Sequence, residues 1–255
     1  MAWYLVYQLL LSDNNSQTIS IVSELLDLVC LGTIVDQIPQ KGICRQLCRL
    51  GLLQLRQEKR CGLKALAARA NCDLSRASGK DLGFILGPRI NAVGRLTGGL
   101  DALRLLCSQN YRYTTKLASV LNSINCRRQE LTEQMYIQAL AQIEQKKLPA
   151  LLLVASENFH EGIIGLLASK LSEQFARPAI AISLGDKIAK ASCRSVGKFN
   201  ITNYLSEFST QLLGFGGHCL AAGFSCKKQL LVQLSHDLVE RLRSEERRVG
   251  KECRS

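Results

Sequence analysis

Between Thr114 and Gln145 the chain has neither glycine nor proline, and Leu117, Val120, Leu121, Ile124, Leu131, Met135, Ala139, Leu140 and Ile143 recur at steps of three and four. That period puts them on one stripe of an α-helix. The segment is predicted to form a single long helix, which at ~1.5 Å per residue would reach about 45 Å, enough to link two domains. It divides the chain into a part at 1–113, a connector at 114–147 and a part at 148–242.

The two parts differ in pattern. Before the connector, AWYLVYQLLL is helix-like, and the apolar run Leu25 to Leu31 ends in Gly32 to Asp36, with Pro39 forbidding immediate helix continuation. Helices are expected at Gly42 to Arg56, at Leu63 to Arg69 and, after the polar break Asn71 to Ser78, up to Leu86. The next segment, LGPRINAVGRLTGGLDA, is punctuated by glycine and proline and is expected to be loop-like. After Pro149 short apolar strands take over, at Ala150 to Ala155 and Ala179 to Leu184, separated by a loop through His160 and an amphipathic helix ending near Phe175. Gly185-Asp186 reads as a tight turn into Lys187 to Arg194. A helix at Ile201 to Leu212 capped by Asn200, a loop at Gly214, Gly216 and Gly217, a strand at Cys219 to Ser225 and a last amphipathic helix complete an α/β fold.

Composition narrows the function classes. A hydrophobic fraction of 47% in 255 residues suits folded cores rather than a disordered chain. The apolar runs after Pro149 are far shorter than the ~20 residues that span a bilayer, and Met1 to Leu11 has no basic residues ahead of it and no cleavage signal behind it. A cytoplasmic protein is expected. Eleven cysteines, odd in number and scattered through apolar stretches, read as reduced core residues rather than a disulfide framework. Cys44 and Cys48 have helical spacing, but no second Cys or His pair stands at zinc-site distance. The formal charge of +12 favours a polyanionic partner, because Lys and Arg release counterions from a phosphate backbone.

Five separated motifs carry a resemblance. GTIVD at 32–36, LGPRINAVGRL at 86–96, HEGIIG at 160–165, ASCRS at 191–195 and FGGHCLAAG at 215–223 together resemble the RecJ family of DHH phosphoesterases, in that order and spacing. The resemblance runs over about residues 1–242 and implies the C-terminal part of a DHH domain at 1–113 joined by the long helix to a DHHA1 domain at 148–242. It implies hydrolysis of single-stranded DNA from the 5′ end with two Mn2+ or Mg2+ ions, in DNA repair and recombination. Single-stranded DNA is the expected partner, with repair or recombination proteins as further candidates, and a monomer is expected. The family's earlier metal-binding motifs, the DHH triplet among them, do not occur here. The chain is therefore not expected to assemble the metal pair.

The resemblance also assigns roles. Asp36, on the residues alone a turn-forming or capping carboxylate, matches a family metal ligand and is the candidate metal-binding and catalytic carboxylate. Arg89 and Arg95, with Asn91 orienting the turn, are expected at the nucleic-acid backbone rather than as plain surface arginines. His160 stands where a helix is expected to begin, a place that already favours an anion, and is either a cap or a catalytic group facing a phosphate. Ser192 and Arg194 flank Cys193 on a strand and so share one face, which suits a hydroxyl and a guanidinium on one phosphate. The family implies the 5′-terminal phosphate for them. His218, after Gly216 and Gly217, is expected beside a concave backbone anion site facing the scissile or adjacent phosphate. His236 is expected at the surface.

Arg243 to Ser255, RSEERRVGKECRS, resembles the translation of a sequencing adapter and is set aside as a tail. Its five basic and three acidic residues leave a charge of +10 without it. A longer protein is expected on both sides of the chain. Two alternatives stay open: a DHH phosphodiesterase acting on short oligonucleotides or cyclic dinucleotides, and a non-catalytic relative that kept the clamp.

Overall fold

The computed structural model describes residues 2–11, 22–143 and 148–252. The chain forms two compact units, 1–127 and 128–255, and each has its own core.

The first unit is helical. Its helices are α1 (Ala2–Leu11), α2 (Leu26–Val35), α3 (Gly42–Leu55), α4 (Cys61–Arg69), α5 (Gly79–Asp81), α6 (Gly87–Leu96), α7 (Leu100–Cys107) and the start of α8 (Tyr111–Gln142). Leu66, Leu82, Leu86, Leu105 and Leu121 are fully buried in one cluster drawn from several helices, as amphipathic stripes require. A buried ion pair ties separate parts of this unit. Arg60 donates through Nε to Asp27 Oδ2 at 2.6 Å and through Nη2 to Oδ1 at 3.0 Å, while its Nη1 donates to the Leu106 carbonyl at 3.0 Å. The long helix begins three residues before the predicted Thr114, at Tyr111, because Asn110 Oδ1 accepts from the Tyr113 N–H and so caps that end. Its predicted end at Gln145 lies outside the described residues.

One expectation is corrected in this unit. LGPRINAVGRL is helix, not loop: α5 runs through a π-helical turn at Leu82–Leu86 directly into α6. Pro88 follows directly on the π-helical turn, where the regular i→i−4 ladder is already interrupted, and so it does not break the helix. Gly87 serves packing rather than looseness. A Cβ there would lie 2.6 Å from Val35 Cγ2 and 2.8 Å from the Leu82 carbonyl oxygen, so only glycine lets α2 come this close.

The second unit is α/β. Strands β1 (Leu152–Ser156), β2 (Ala179–Leu184), β3 (Ile188–Arg194), β4 (Gly214–His218) and β5 (Ala221–Lys227) form one sheet in the order β1-β2-β3-β5-β4. β1 and β2 are parallel and joined through α9 (Ile164–Phe175); the other pairs are antiparallel. The helix α10 (Ile201–Ser206) is capped by Asn200 Oδ1, which accepts from the N–H groups of Thr202 and Asn203, as predicted. It stops at Ser206 rather than Leu212, and Ser209–Gln211 forms a separate 3₁₀ turn. Leu234, Leu238 and Leu242 of α11 (Leu231–Glu252) bury against Ala191, Cys193, Phe224 and Cys226 of the sheet. At the outer margin of β1, the Gln142 side chain donates to the Ala155 carbonyl and accepts from its N–H, both at 3.1 Å, as a neighbouring strand would.

A second correction falls here. Gly214, Gly216 and Gly217 lie in strand β4, not in a loop, because an edge strand needs only its backbone to pair. The adapter-like tail continues α11 to Glu252, and residues 253–255 lie outside the described residues. Among the described residues no helix is long and apolar enough to cross a membrane.

Candidate functional site

In the first unit two motifs meet. Asp36 is exposed at the C-terminal cap of α2, its N–H donating to the Gly32 carbonyl and the next N–H, of Gln37, to the Ile34 carbonyl. The preceding residues Ile34 and Val35 lie against Gly79, Gly83 and Gly87, so the end of GTIVD rests on the π-helical turn that leads into α6. On α6, Arg89 is half-buried and committed: Nε donates to Asn122 Oδ1 at 2.9 Å and Nη1 to the Ile85 carbonyl of the π turn at 2.7 Å. Asn91 and Arg95 are exposed on the same helix. Among the described residues no group of three or more His, Cys, Asp or Glu is gathered as a metal site. Asp36 alone does not fit a pair of divalent ions, and no step of the chemistry is assigned to a metal on these residues.

In the second unit the strand register builds an open corner of the sheet. β3 buries Ala189, Ala191 and Cys193 on one face and leaves Lys190, Ser192 and Arg194 on the other. Register places Ala181 and Ala179 of β2 beside Ser192 and Arg194 on one side, and Gly223 and Ala221 of β5 on the other. These flanking residues are all small. Gly216 and His218 of β4 pair with Gly223 and Ala221, so Ser192 shares a transverse row with Gly216, and Arg194 shares one with His218. Rows two strands apart span about 10 Å of backbone.

The turn that carries His218 is pinned. Thr202 Oγ1 donates to the His218 carbonyl at 2.7 Å, the Ile201 N–H to the Cys219 carbonyl at 2.9 Å, and the Ser195 N–H to the Leu220 carbonyl at 2.9 Å. Gly217 has φ +146°, and a Cβ there would lie 2.3 Å from the Ala221 carbonyl oxygen, so glycine is required. The His218 ring stays exposed.

Arg194 is the most constrained side chain of the corner. Nε donates to Ser169 Oγ of α9 at 3.0 Å, and Nη1 to the Cys193 carbonyl at 2.9 Å and to Ser192 Oγ at 3.3 Å. Burial pulls its pKa below the ordinary guanidinium value, and burial pushes the Cys193 thiol behind it up to about 12. Next along this face, Lys190 and Glu161 pair at 2.5 Å, and Lys190 holds the Glu161 carboxyl below the usual range.

His160 precedes α9 by four residues rather than opening it, since the helix starts at Ile164. Its Nδ1 accepts from the Gly162 N–H at 3.1 Å, so the neutral ring carries its proton on Nε2, which is left to face solvent or ligand. The capping and the ligand-facing readings thus use different nitrogens of one ring. His236 is exposed, as expected. Sequence reasoning gave no role to Ser169 or Gly165, which touch Arg194 and Ser192; the signals were that Gly165 closes the HEGIIG motif and that Ser169 follows it at i, i+4 on one helix face. A separate hollow of about 610 Å³ lined by Lys187, Lys227 and Lys228 sits at the opposite ends of β3 and β5.

The sheet and its open glycine–histidine corner define the class: residues 145–244 match the DHHA1 domain family, and the second unit carries a DHHA1 domain. Along most of its length the chain is a homologue of RecJ. It is 38% identical over 220 residues to the single-stranded-DNA-specific exonuclease RecJ of Bacillus subtilis, covering 85% of this chain and 28% of that protein. The corresponding protein of Escherichia coli is 37% identical over 227 residues, covering 85% and 39%. The crystal structure of RecJ from Thermus thermophilus in complex with Mg2+ superposes with a TM-score of 0.80 at 29% identity, covering 87% of this chain and 35% of that one. The chain thus spans between about a quarter and two fifths of the Bacillus and Escherichia relatives.

Proposed function

We propose that the chain is the phosphate-gripping portion of a RecJ-like 5′-3′ exonuclease for single-stranded DNA, acting in repair and recombination in the cytoplasm. The observation that carries this is the open sheet corner in which Ser192, Arg194, Gly216 and His218 occupy two alternate transverse rows, which share one face of the sheet. In this reading residues 1–113 are part of a DHH domain, 114–147 the connector and 148–242 the DHHA1 domain. Arg194 presents its Nη2 donors to the dianionic 5′-terminal phosphate, and Ser192 adds a hydroxyl. His218 and the Gly216-Gly217 backbone receive the next phosphate, and His160 offers Nε2–H. Arg89, Asn91 and Arg95 serve the nucleic-acid backbone on α6, with Arg89 acting from a fixed pose. Asp36 is a candidate for one ligand position of a divalent ion, and the Mg2+ and Mn2+ complexes of the Thermus relative support the choice of ion.

Binding of 5′-phosphorylated and 5′-hydroxyl single-stranded oligonucleotides, followed by fluorescence anisotropy, tests this without metal. A preference for the phosphorylated end of about tenfold or more is expected, as a charge-assisted hydrogen-bond pair provides. Arg194→Ala should abolish it. Equal binding of both ends, insensitive to that substitution, would reduce the corner to a merely basic surface.

A further inference from the structure

Three hydrogen bonds of the Arg194 guanidinium are spent inside the protein, on Ser169 Oγ, Ser192 Oγ and the Cys193 carbonyl. The two hydrogens on Nη2 have no partner among the described residues. Nη2 lies over Gly165, in the first turn of α9, where an added Cβ would come 3.4 Å from Nη2 and 3.2 Å from Ser192 Oγ. Glycine there lets α9 approach β3 this closely, with both groups facing the place that a Cβ would fill. Among the described residues the Gly165 N–H also has no backbone partner, whereas the Ile164 and Leu166 N–H groups beside it donate to the His160 and Ile163 carbonyls.

Gly165 and Ser169 are one helical turn apart and therefore lie on one face of α9. They meet β3 in register: Gly165 is beside Ser192, and Ser169 beside Arg194. A guanidinium held only by Nη1 could still rotate about its long side chain. The Nε–H bond to Ser169 removes that freedom and fixes the direction in which Nη2 points.

We infer that Ser169 and Gly165 are positioning residues of the terminal-phosphate site: Ser169 locks the plane of the Arg194 guanidinium, and Gly165 leaves the space in which the Nη2 donors meet a phosphate oxygen. The inference rests on the phosphate reading of Ser192 and Arg194. Neither residue touches the reacting atoms. Their effect is on recognition of the 5′ end, not on general affinity for a single strand.

The test extends the anisotropy measurement to Ser169→Ala, Ser169→Thr and Gly165→Ala, with 5′-phosphorylated and 5′-hydroxyl oligonucleotides as probes. Ser169→Ala should shrink the phosphate preference about threefold to tenfold, the worth of one hydrogen bond, while hydroxyl-end affinity and thermal midpoint stay unchanged. Ser169→Thr keeps an acceptor oxygen and should keep the preference. Gly165→Ala should also lose preference, and since alanine favours helix over glycine, the loss would not come from a weaker α9. The Arg194 Nε–Hε resonance should shift in Ser169→Ala and hold in Ser169→Thr. A preference that is absent in the parent chain, or that survives Arg194→Ala, overturns the phosphate reading and this inference with it. A preference lost in Arg194→Ala but kept in Ser169→Ala and Gly165→Ala overturns the inference alone. Equal weakening of both oligonucleotides by Ser169→Ala also overturns it, by showing a structural role.

Discussion

Adjacent residues 192 to 194 of one strand live in opposite environments, and their chemistry follows. Cys193 faces the core, and its thiol, raised to about 12 by burial, holds almost no thiolate at neutral pH. Cys107, Cys126 and Cys219 are exposed. Iodoacetamide at pH 8, read by peptide mass spectrometry, should therefore label those three rapidly and leave Cys193 and Cys30, also raised to about 12, unlabelled until the fold opens. At this scale the alternation of Ser192, Cys193 and Arg194 was legible because a strand period of two is rigid. The role of Ser169 was not, since a serine on an amphipathic helix carries no mark of the strand residue it will meet. Arg89 shows the converse: its place in a motif was plain, but its commitment to Asn122 depends on a helix 33 residues later.

At the scale of elements, the two misread segments share a cause. Glycine and proline in LGPRINAVGRL and glycine in GFGGH suggested loops, yet Gly87 and Gly217 are there for close approach within regular elements. At Gly217 the close approach is combined with a positive φ. Gly217→Ala should destabilise the chain by about 1–3 kcal/mol in urea unfolding, from backbone strain and the clash with Ala221. The start of α5 makes a pH-dependent prediction. Ser78 Oγ and the Ser78 N–H both donate to Asp81, and Asp81 N–H donates back to Ser78 Oγ, a reciprocal capping box. These bonds hold the Asp81 carboxyl below its ordinary value, the Ser78 hydroxyl foremost. A lowered folded value means that the contribution is complete above the ordinary carboxylate range and fades as pH falls through the folded value. Asp81→Asn should then cost about 0.5–1 kcal/mol at pH 7, the usual worth of a cap, and less at pH 3.

For the whole molecule, charge is the property that sequence states most directly. With a formal charge of +12, single-strand affinity should fall on the order of tenfold between 50 and 200 mM salt if about three phosphates are neutralised. A flat salt response in the same anisotropy assay would contradict that footprint. The long helix and the strand–helix–strand order were readable because both rest on periodicity over many residues; the pairing of β4 outside β5 was not, because five exposed residues leave no apolar pattern. The separateness of the two cores has a consequence for biosynthesis. The first is complete by Leu121, and the second is not complete until Leu242 has been added. At about 5–20 residues per second, a ribosome leaves the first core roughly 6 to 24 s in which to settle before the last leucine of the second is made. A nascent chain stalled in that interval should already protect Leu66 and Leu105 from protease while the strands of the sheet are still being cut.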